Sequence, residues 1–305
     1  MAAPVYGPSP TAPSRLTESQ IVSDYHRTSL LRIATDSAEK NGYVVQRMIR
    51  FIRRHATSAP GSTETERAYN LYSHAWTALN AFDNGDPRAL PNGAIGIPFS
   101  YTTGFTAHDA SDDHNGKTYL IVDFICTGDQ ARRVIPMQPI GPYLNAPSRR
   151  DCLLDQTDLL PLFFVNMDRT VGVPILGPFD SIYPTKIFAR SEKSSLKVCF
   201  NWPNIPTDEK FSKRQIQYRT KVDNKTPKRV TIPVQRMANL VANAVVNFMG
   251  DADKYLQGQS HIEHPRWRIG TGARQIKTRD VILMGIFFIS PGAVMPVLRL
   301  RDGFP

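Results

Sequence analysis

The chain has 305 residues, of which 41% are hydrophobic, so it can bury a substantial core as one large domain or two ordinary ones. Its formal net charge of +10 favours a polyanionic partner, nucleic acid or an anionic membrane surface, over an uncharged one. The alternative is a soluble protein with spare lysines. No apolar stretch reaches the length of about 20 residues that a membrane-spanning helix needs.

Residues 1–16 form a Pro-rich segment that is typical of a flexible arm. It contains no apolar core of a signal peptide. Within it, Pro10, Thr11, Ala12 and Pro13 resemble the PTAP late-domain motif with which matrix and Gag proteins of enveloped viruses recruit host budding machinery. The alternative is a plain flexible arm.

Residues 17–84 have the pattern of a helical N-terminal region. Apolar residues at helical spacing between Val44 and Ile52 predict an amphipathic helix with a basic opposite face. That face carries Arg47, Arg50 and Arg54, which we expect either to contact phosphates or to be a solvated surface. The periodic residues Ala68–Phe82 predict a further helix, which Asp83–Gly85 ends.

From residue 85 onward, Pro and Gly separate short β-branched and aromatic runs, which is typical of an antiparallel sandwich or barrel. One helix interrupts this region, with an apolar face from Met237 to Phe248. The predicted fold is therefore mainly β: a helical N-terminal region at 17–84, then an antiparallel, jelly-roll-like β-sandwich at 85–305 with one inserted helix. The predicted strands lie near Ile95–Thr103, Thr118–Cys126, Leu159–Asn166, Lys186–Arg190, Leu196–Trp202, Arg214–Lys221 and Arg229–Pro233, followed by a terminal pair.

The terminal pair is predicted from an unbroken apolar run, Val281–Ile289, followed by the turn signal Pro291-Gly292. The return segment Val294–Arg301 alternates, which predicts one apolar and one charged face. Pro296 indicates a sheet edge or a strand end. We expect a β-hairpin whose first strand lies deep in a sheet.

Basic residues concentrate between residues 210 and 229, with Asn224 at a predicted hairpin turn. Such residues neutralise phosphates, and interleaved aromatic rings can stack on bases. The alternative is a lysine-rich edge that prevents sheet aggregation. The candidate nucleic-acid-binding residues here are Lys213, Arg214, Arg219, Lys221, Lys225, Lys228 and Arg229.

A second basic cluster contains Arg266, Arg268 and Arg274, with Trp267 among them. We expect Gly270-Thr-Gly272 to let the backbone approach a partner closely. It is not a dinucleotide fingerprint, because the third glycine and the flanking strand and helix are missing.

Signals for catalysis and metal binding are weak. His and Asp residues at 108–114 could bind a divalent ion, but an acidic solvated loop is the preferred interpretation. His261 and His264 have no evident third ligand, and no P-loop, nucleophile elbow or kinase motif is present. Three cysteines, far apart, predict neither disulfides nor zinc and favour a reducing compartment. We expect a non-enzyme with no cofactor.

Three segments resemble capsid proteins of small circular single-stranded DNA viruses. Ile125–Arg133 is similar to an early strand and turn of those shells, Leu162–Arg169 with Gly172 and Pro174 to a long strand and its loop, and Ile286–Arg301 to the last two strands. The resemblance implies a viral jelly-roll coat protein. The chain departs from that family by lacking a dense Arg-rich N-terminal arm.

The sequence thus predicts a viral structural protein: a capsid subunit that assembles with itself and binds its genome without sequence specificity. Its expected location is the virion, and the host cytoplasm or nucleus during assembly. The alternative is a matrix protein that binds anionic membrane and host budding factors. A third possibility is an enzyme whose site is assembled from distant residues.

Overall fold

The computed structural model describes residues 28–35, 93–98, 119–126, 128–137, 161–182, 195–223, 226–231 and 233–305. Several predictions fall outside these residues: the PTAP-like motif at 10–13, the basic helix with Arg47, Arg50 and Arg54, the strand Lys186–Arg190, the His/Asp loop at 108–114, and Lys225.

The main sheet of the described residues has six strands, which are β3 (Leu162–Phe163), β4 (Val173–Pro174), β5 (Ser195–Cys199), β6 (Lys213–Gln217), β9 (Val281–Ser290) and β10 (Ala293–Leu300). Their order is β3-β9-β10-β5-β6, with β4 also paired to β9. The sheet is mixed, because β10 runs parallel to β5 while its other pairings are antiparallel. The predicted antiparallel arrangement holds for the other pairings of this sheet, and the short parallel pair of β10 with β5 departs from it. A long connection separates β5 from β10 in the chain, which permits a parallel pair.

Two further strand pairs are antiparallel. One joins β1 (Ala94–Pro98) to β2 (Tyr119–Phe124), and the other joins β7 (Arg219–Asp223) to β8 (Thr226–Thr231). The predicted strand Arg214–Lys221 is therefore two strands in different sheets. The division falls at Tyr218, whose side chain is buried in the core. The predicted hairpin around residue 224 is confirmed by the β7–β8 pairing.

The terminal hairpin β9–β10 is confirmed, and β9 is buried along nearly its whole length. The predicted charged face of β10 is wrong, because Val294–Leu298 are buried and only Arg299 interrupts the burial inside the strand. Pro296 also lies within the strand, not at its end. The pairing of β10 with β5 covers only Ala293 and Val294, so this proline without an N–H group follows the paired positions.

Gly285 lies in the middle of β9, where the backbone of the neighbouring strand β3 comes unusually close. A Cβ atom at this position would lie only 2.4 Å from the Leu162 carbonyl oxygen and 2.9 Å from Phe163 Cα. The two strands pair here, with Phe163 opposite Gly285. A glycine inside an apolar strand thus marks a close backbone approach.

The long helix α4 (Val234–Gln257) carries the apolar face that the sequence predicts, including Met237, Val241 and Phe248. Its N-terminus follows Pro233. The helix packs on β6 and β9 of the main sheet. The Phe248 ring stacks on Phe200 with centroids 4.3 Å apart and lies 6.0 Å from Trp202, so aromatic packing joins helix and sheet.

The described residues also contain three shorter α-helices, α1 (Leu30–Thr35), α2 (Gly128–Arg133) and α3 (Glu209–Ser212), and two 3-10 turns, Pro265–Trp267 and Thr278–Asp280. The predicted strand and turn at Ile125–Arg133 is an isolated bridge at Ile125 followed by α2. The helix has Asp129 in its first turn and arginines in its last, an arrangement that the helix dipole favours. Likewise, the predicted long strand Leu162–Arg169 is confined to the two residues of β3, because Asn166–Arg169 form a turn.

The architecture is a mixed sheet of several strands with few helices, of which one is long, and it agrees with a mainly β protein. None of the helices in the described ranges combines the length and hydrophobicity that a membrane crossing requires.

Candidate polyanion interface

Lys213 and Arg214 begin the edge strand β6, opposite Cys199 and Val198 of β5. Arg214 makes structural contacts. One Nη donates to Asp251 Oδ2 of α4 at 2.7 Å, and the other donates to the carbonyl oxygens of Lys213 and Phe211 at 2.9 and 3.3 Å. This guanidinium therefore ties β6 to α4.

The hairpin β7–β8 collects the basic positions that follow. Arg219 and Lys221 lie on β7, and Lys228 and Arg229 lie on β8. The register pairs Lys221 with Arg229 and Arg219 with Thr231. Four of the predicted basic positions therefore belong to one two-stranded ribbon, as the sequence indicates.

Arg266 and Trp267 lie in a 3-10 turn, Pro265–Trp267, that is firmly attached to the core. Trp202 Nε1 donates to the Trp267 carbonyl oxygen at 2.7 Å. Asn204 binds the turn from the other end: its Nδ2 donates to the His264 carbonyl oxygen and its Oδ1 accepts from the His264 N–H, at 2.9 and 2.8 Å. The backbone of this turn is thus fixed by two side chains of the β5–α3 connection.

Three arginines from distant parts of the chain meet at a groove of about 380 Å³, which we call the Arg groove. They are Arg32 of α1, Arg132 of α2 and Arg266 of the 3-10 turn. The remaining lining residues are Ile33, Ala131, Val134, Pro136 and Trp267. The sequence analysis found Arg266 and Trp267 but missed Arg32 and Arg132.

Local hydrogen bonds hold the backbone of the two missed arginines. The Ser29 hydroxyl accepts from the Arg32 N–H at 3.1 Å and so caps the start of α1. Arg132 lies in the last turn of α2, and Arg266 Nη2 donates to its carbonyl oxygen at 2.5 Å. The Arg266 guanidinium also lies 5.1 Å from the centre of the Trp267 ring, a cation–π arrangement.

Neighbouring charges differ in how firmly they are paired. Arg133, next to Arg132, forms an ion pair with Asp302 at 2.5 Å, and Arg299 also contacts that carboxylate. Among the described residues, the ion pair of Arg132 is a long contact with Asp129, at 3.9 Å between side chains that are 76% and 77% exposed. An exposed pair of that length is weak, so this pair does not prevent the Arg132 guanidinium from binding an external anion.

Arg268 is partly buried and Arg274 is exposed, and neither lines the Arg groove. The glycines between them do not leave room for a partner. A Cβ at Gly270 would lie 2.1 Å from the Gln275 side-chain oxygen, and that oxygen accepts from the Gly272 N–H at 2.8 Å. The predicted close approach is therefore made to Gln275 of the same chain.

The described residues contain no cluster of three or more His, Cys, Asp or Glu side chains that could hold a metal ion. His261 and His264 are both exposed, and the partner of His264 is Glu263 at 3.8 Å. Cys126 and Cys199 are buried and unbonded to each other, and burial raises the pKa of both thiols to about 11. Such thiols are poor nucleophiles at neutral pH.

The Arg groove is lined by guanidinium groups suited to phosphate oxygens, and the β7–β8 ribbon brings further basic residues together in the sequence of its two strands. Comparison with known proteins adds no assignment: no family model, no curated protein and no solved structure matches this chain.

Proposed function

We propose that the protein is a viral structural protein, a capsid subunit that assembles with itself and holds the packaged genome on basic surfaces. The observation that carries this proposal is the Arg groove, in which Arg32, Arg132 and Arg266 converge beside Trp267. The net charge of +10 and the basic ribbon β7–β8 support it.

The chemistry of the proposal is charge neutralisation. Lysine and arginine side chains replace the counterions around a nucleic-acid backbone, and the release of those counterions drives binding without reading the base sequence. Contacts of this kind position a strand but do not specify it. A subunit that packages a whole genome needs that lack of specificity.

The proposed building block is a jelly-roll-like sandwich of which the main sheet is one layer. The buried hairpin β9–β10 lies at the centre of that sheet, between β3 and β5, which suits a rigid subunit. Copies would associate through contacts that each bury on the order of 1,000 Å² or more. In this role the protein performs no catalysis and resides in the virion.

Binding measurements with two probes test the proposal. We expect a fluorescein-labelled ten-nucleotide oligothymidylate to bind the full chain with an affinity that falls linearly with salt on logarithmic axes. Vesicles with and without phosphatidylserine provide the comparison in flotation. Flotation with anionic vesicles in the absence of oligonucleotide binding would refute the capsid proposal and favour a matrix protein, since anionic leaflets also attract basic clusters.

A further inference from the structure

We propose that the Arg groove is a discrete site for one nucleotide unit of a single strand, with its phosphate among Arg32, Arg132 and Arg266 and its base against Trp267. The inference rests on the proposed function for its nucleic-acid partner. It narrows that function from general charge attraction to one defined phosphate-and-base site.

The charge of the groove favours a phosphate. Three guanidinium-bearing residues line about 380 Å³. At Arg132, the contact with the Asp129 carboxylate is 3.9 Å long and that carboxylate is 77% exposed, so solvent screens this pair. Planar guanidinium groups bind phosphate oxygens through paired N–H donors, a geometry that a lysine ammonium cannot offer. An anion with several oxygens can therefore contact more than one of these arginines.

The base side of the site is held in place before any ligand binds. Trp202 and Asn204 anchor the Pro265–Trp267 turn through hydrogen bonds of 2.7 to 2.9 Å. The Arg266 guanidinium lies 5.1 Å from the Trp267 ring centre and donates to the Arg132 carbonyl oxygen. Bases stack both on aromatic rings and on guanidinium planes. A fixed stacking surface limits the entropy that binding has to overcome.

The apolar lining makes the groove better suited to a nucleotide than to other ligands that contain a phosphate. Ile33, Ala131, Val134 and Pro136 complete the groove around the arginines and Trp267. Its volume lies within the range of about 300–1,000 Å³ that is usual for small-molecule sites. Inorganic phosphate would use the arginines alone, and a phospholipid headgroup has no base to place against Trp267. A nucleotide uses both parts of the groove.

Calorimetric titration of the full chain tests the site with thymidine 5′-monophosphate, thymidine and inorganic phosphate as separate ligands. We expect the nucleotide to bind more tightly than either of its parts. Arg132→Gln removes an exposed guanidinium group, and Trp267→Leu removes the ring on which the base would stack. Each variant should weaken nucleotide binding about tenfold. Arg236→Gln is the matched control, because this exposed arginine of α4 lies outside the groove and should leave binding unchanged.

Arg266→Gln is a second variant that removes a guanidinium from the Arg groove. Thermal melting followed by circular dichroism verifies that each variant is folded. Equal loss of affinity in Arg236→Gln and Arg132→Gln would overturn the site, because binding would then follow net charge alone. Equal affinity for inorganic phosphate and the nucleotide, or unchanged binding in Trp267→Leu, would overturn the stacking role.

The oligothymidylate titration separates failure of this site from failure of the proposed function. Binding of the oligonucleotide that is undiminished in Arg132→Gln and Trp267→Leu would overturn the nucleotide site and leave the capsid proposal standing. Absence of oligonucleotide binding to the unsubstituted protein would overturn both. Groove-dependent binding to phosphatidylserine vesicles that thymidine 5′-monophosphate does not displace would assign the groove to lipid and refute the nucleotide.

Discussion

Ser29 Oγ donates a hydrogen bond of 2.5 Å to Asp123 Oδ2, joining residues 94 positions apart at a fully buried site. The other carboxylate oxygen accepts from the Leu31 and Phe124 N–H groups at 3.1 and 2.8 Å. The pair therefore fixes the start of α1 against β2. Since Arg32 belongs to α1, this buried contact also determines where one side of the Arg groove lies.

Replacing Asp123 with alanine should lower the free energy of unfolding by about 3 kcal/mol, because it leaves buried donors of Ser29, Leu31 and Phe124 without their acceptor. Urea denaturation measures the loss. Ser29→Ala should cost less, and the double variant should be less destabilised than the sum of the two single variants. Strict additivity would show that the two side chains do not act as a unit.

Gly285 and Gly250 make a matched pair of positions for testing the close pairing of β3 with β9. Gly285→Ala should destabilise the protein by about 1–3 kcal/mol, because the new methyl group meets the Leu162 carbonyl oxygen and Phe163 Cα. Gly250→Ala adds the same methyl on an exposed helical position with no atom within 4 Å, and should stabilise by about 0.4–1 kcal/mol. Thermal melting of both variants checks the opposite signs. Equal effects would contradict the close approach of β3.

The basic ribbon β7–β8 predicts a salt effect. Replacing Arg219, Lys221, Lys228 and Arg229 with glutamine should reduce the salt slope of oligothymidylate binding by about 0.7 for each phosphate that the ribbon no longer neutralises. Fluorescence anisotropy at several salt concentrations measures the slope. An unaltered slope in the fourfold variant would show that the ribbon is only a solvated edge.

Arg214→Gln should instead lower the unfolding free energy by about 1 kcal/mol, since it breaks the partly exposed pair with Asp251.

Burial of Cys126 and Cys199 predicts slow alkylation. The pKa of each thiol is raised to about 11, chiefly by burial. At pH 8 the reactive thiolate is then on the order of 100-fold scarcer than in the unfolded chain, where the pKa is about 8.5. Iodoacetamide labelling followed by peptide mass spectrometry compares native protein with protein in denaturant. Native labelling at the denatured rate would show that neither thiol is buried.

The lowered pKa of Asp280 predicts that the protein loses stability in acid. Burial by itself would raise its pKa, but hydrogen bonds from Arg301 and the Lys277 N–H, with the charges of Arg301 and Arg279, hold the pKa below its usual value. A carboxyl with a lowered folded pKa stabilises the fold above its unfolded pKa of about 3.9, and this contribution is lost as pH falls through the folded pKa. Asp280→Asn should flatten the stability profile below pH of about 4 in urea titrations. If the variant loses the same unfolding free energy in acid as the unsubstituted protein, Asp280 does not cause that loss.

Elements defined by local periodicity were predictable from the sequence. The unbroken apolar run of β9 and the apolar residues at helical spacing in α4 identify both elements, because each pattern reports the burial of consecutive or periodic positions. The turn at Pro291-Gly292 gives the terminal hairpin its connection. The same reasoning missed α2, whose six residues from Gly128 to Arg133 have no buried side chain and so no apolar pattern.

The Arg groove was not predictable, because it depends on tertiary contacts. Arg32, Arg132 and Arg266 are scattered in the chain, and they meet only when α1 packs against β2 and the Pro265–Trp267 turn reaches α2. Charge clustering along the sequence instead favoured Arg214, whose partner Asp251 lies on a helix 37 residues away. The local density of basic residues does not show which of them are already paired.

Negative-stain electron microscopy of the purified full chain, together with its absorbance ratio at 260 and 280 nm, tests the capsid proposal most directly. We predict closed particles with excess absorbance at 260 nm, since a shell that holds nucleic acid on basic surfaces should retain it during purification. Monomers or small oligomers that carry no nucleic acid, under conditions in which the protein is folded, would contradict the proposal.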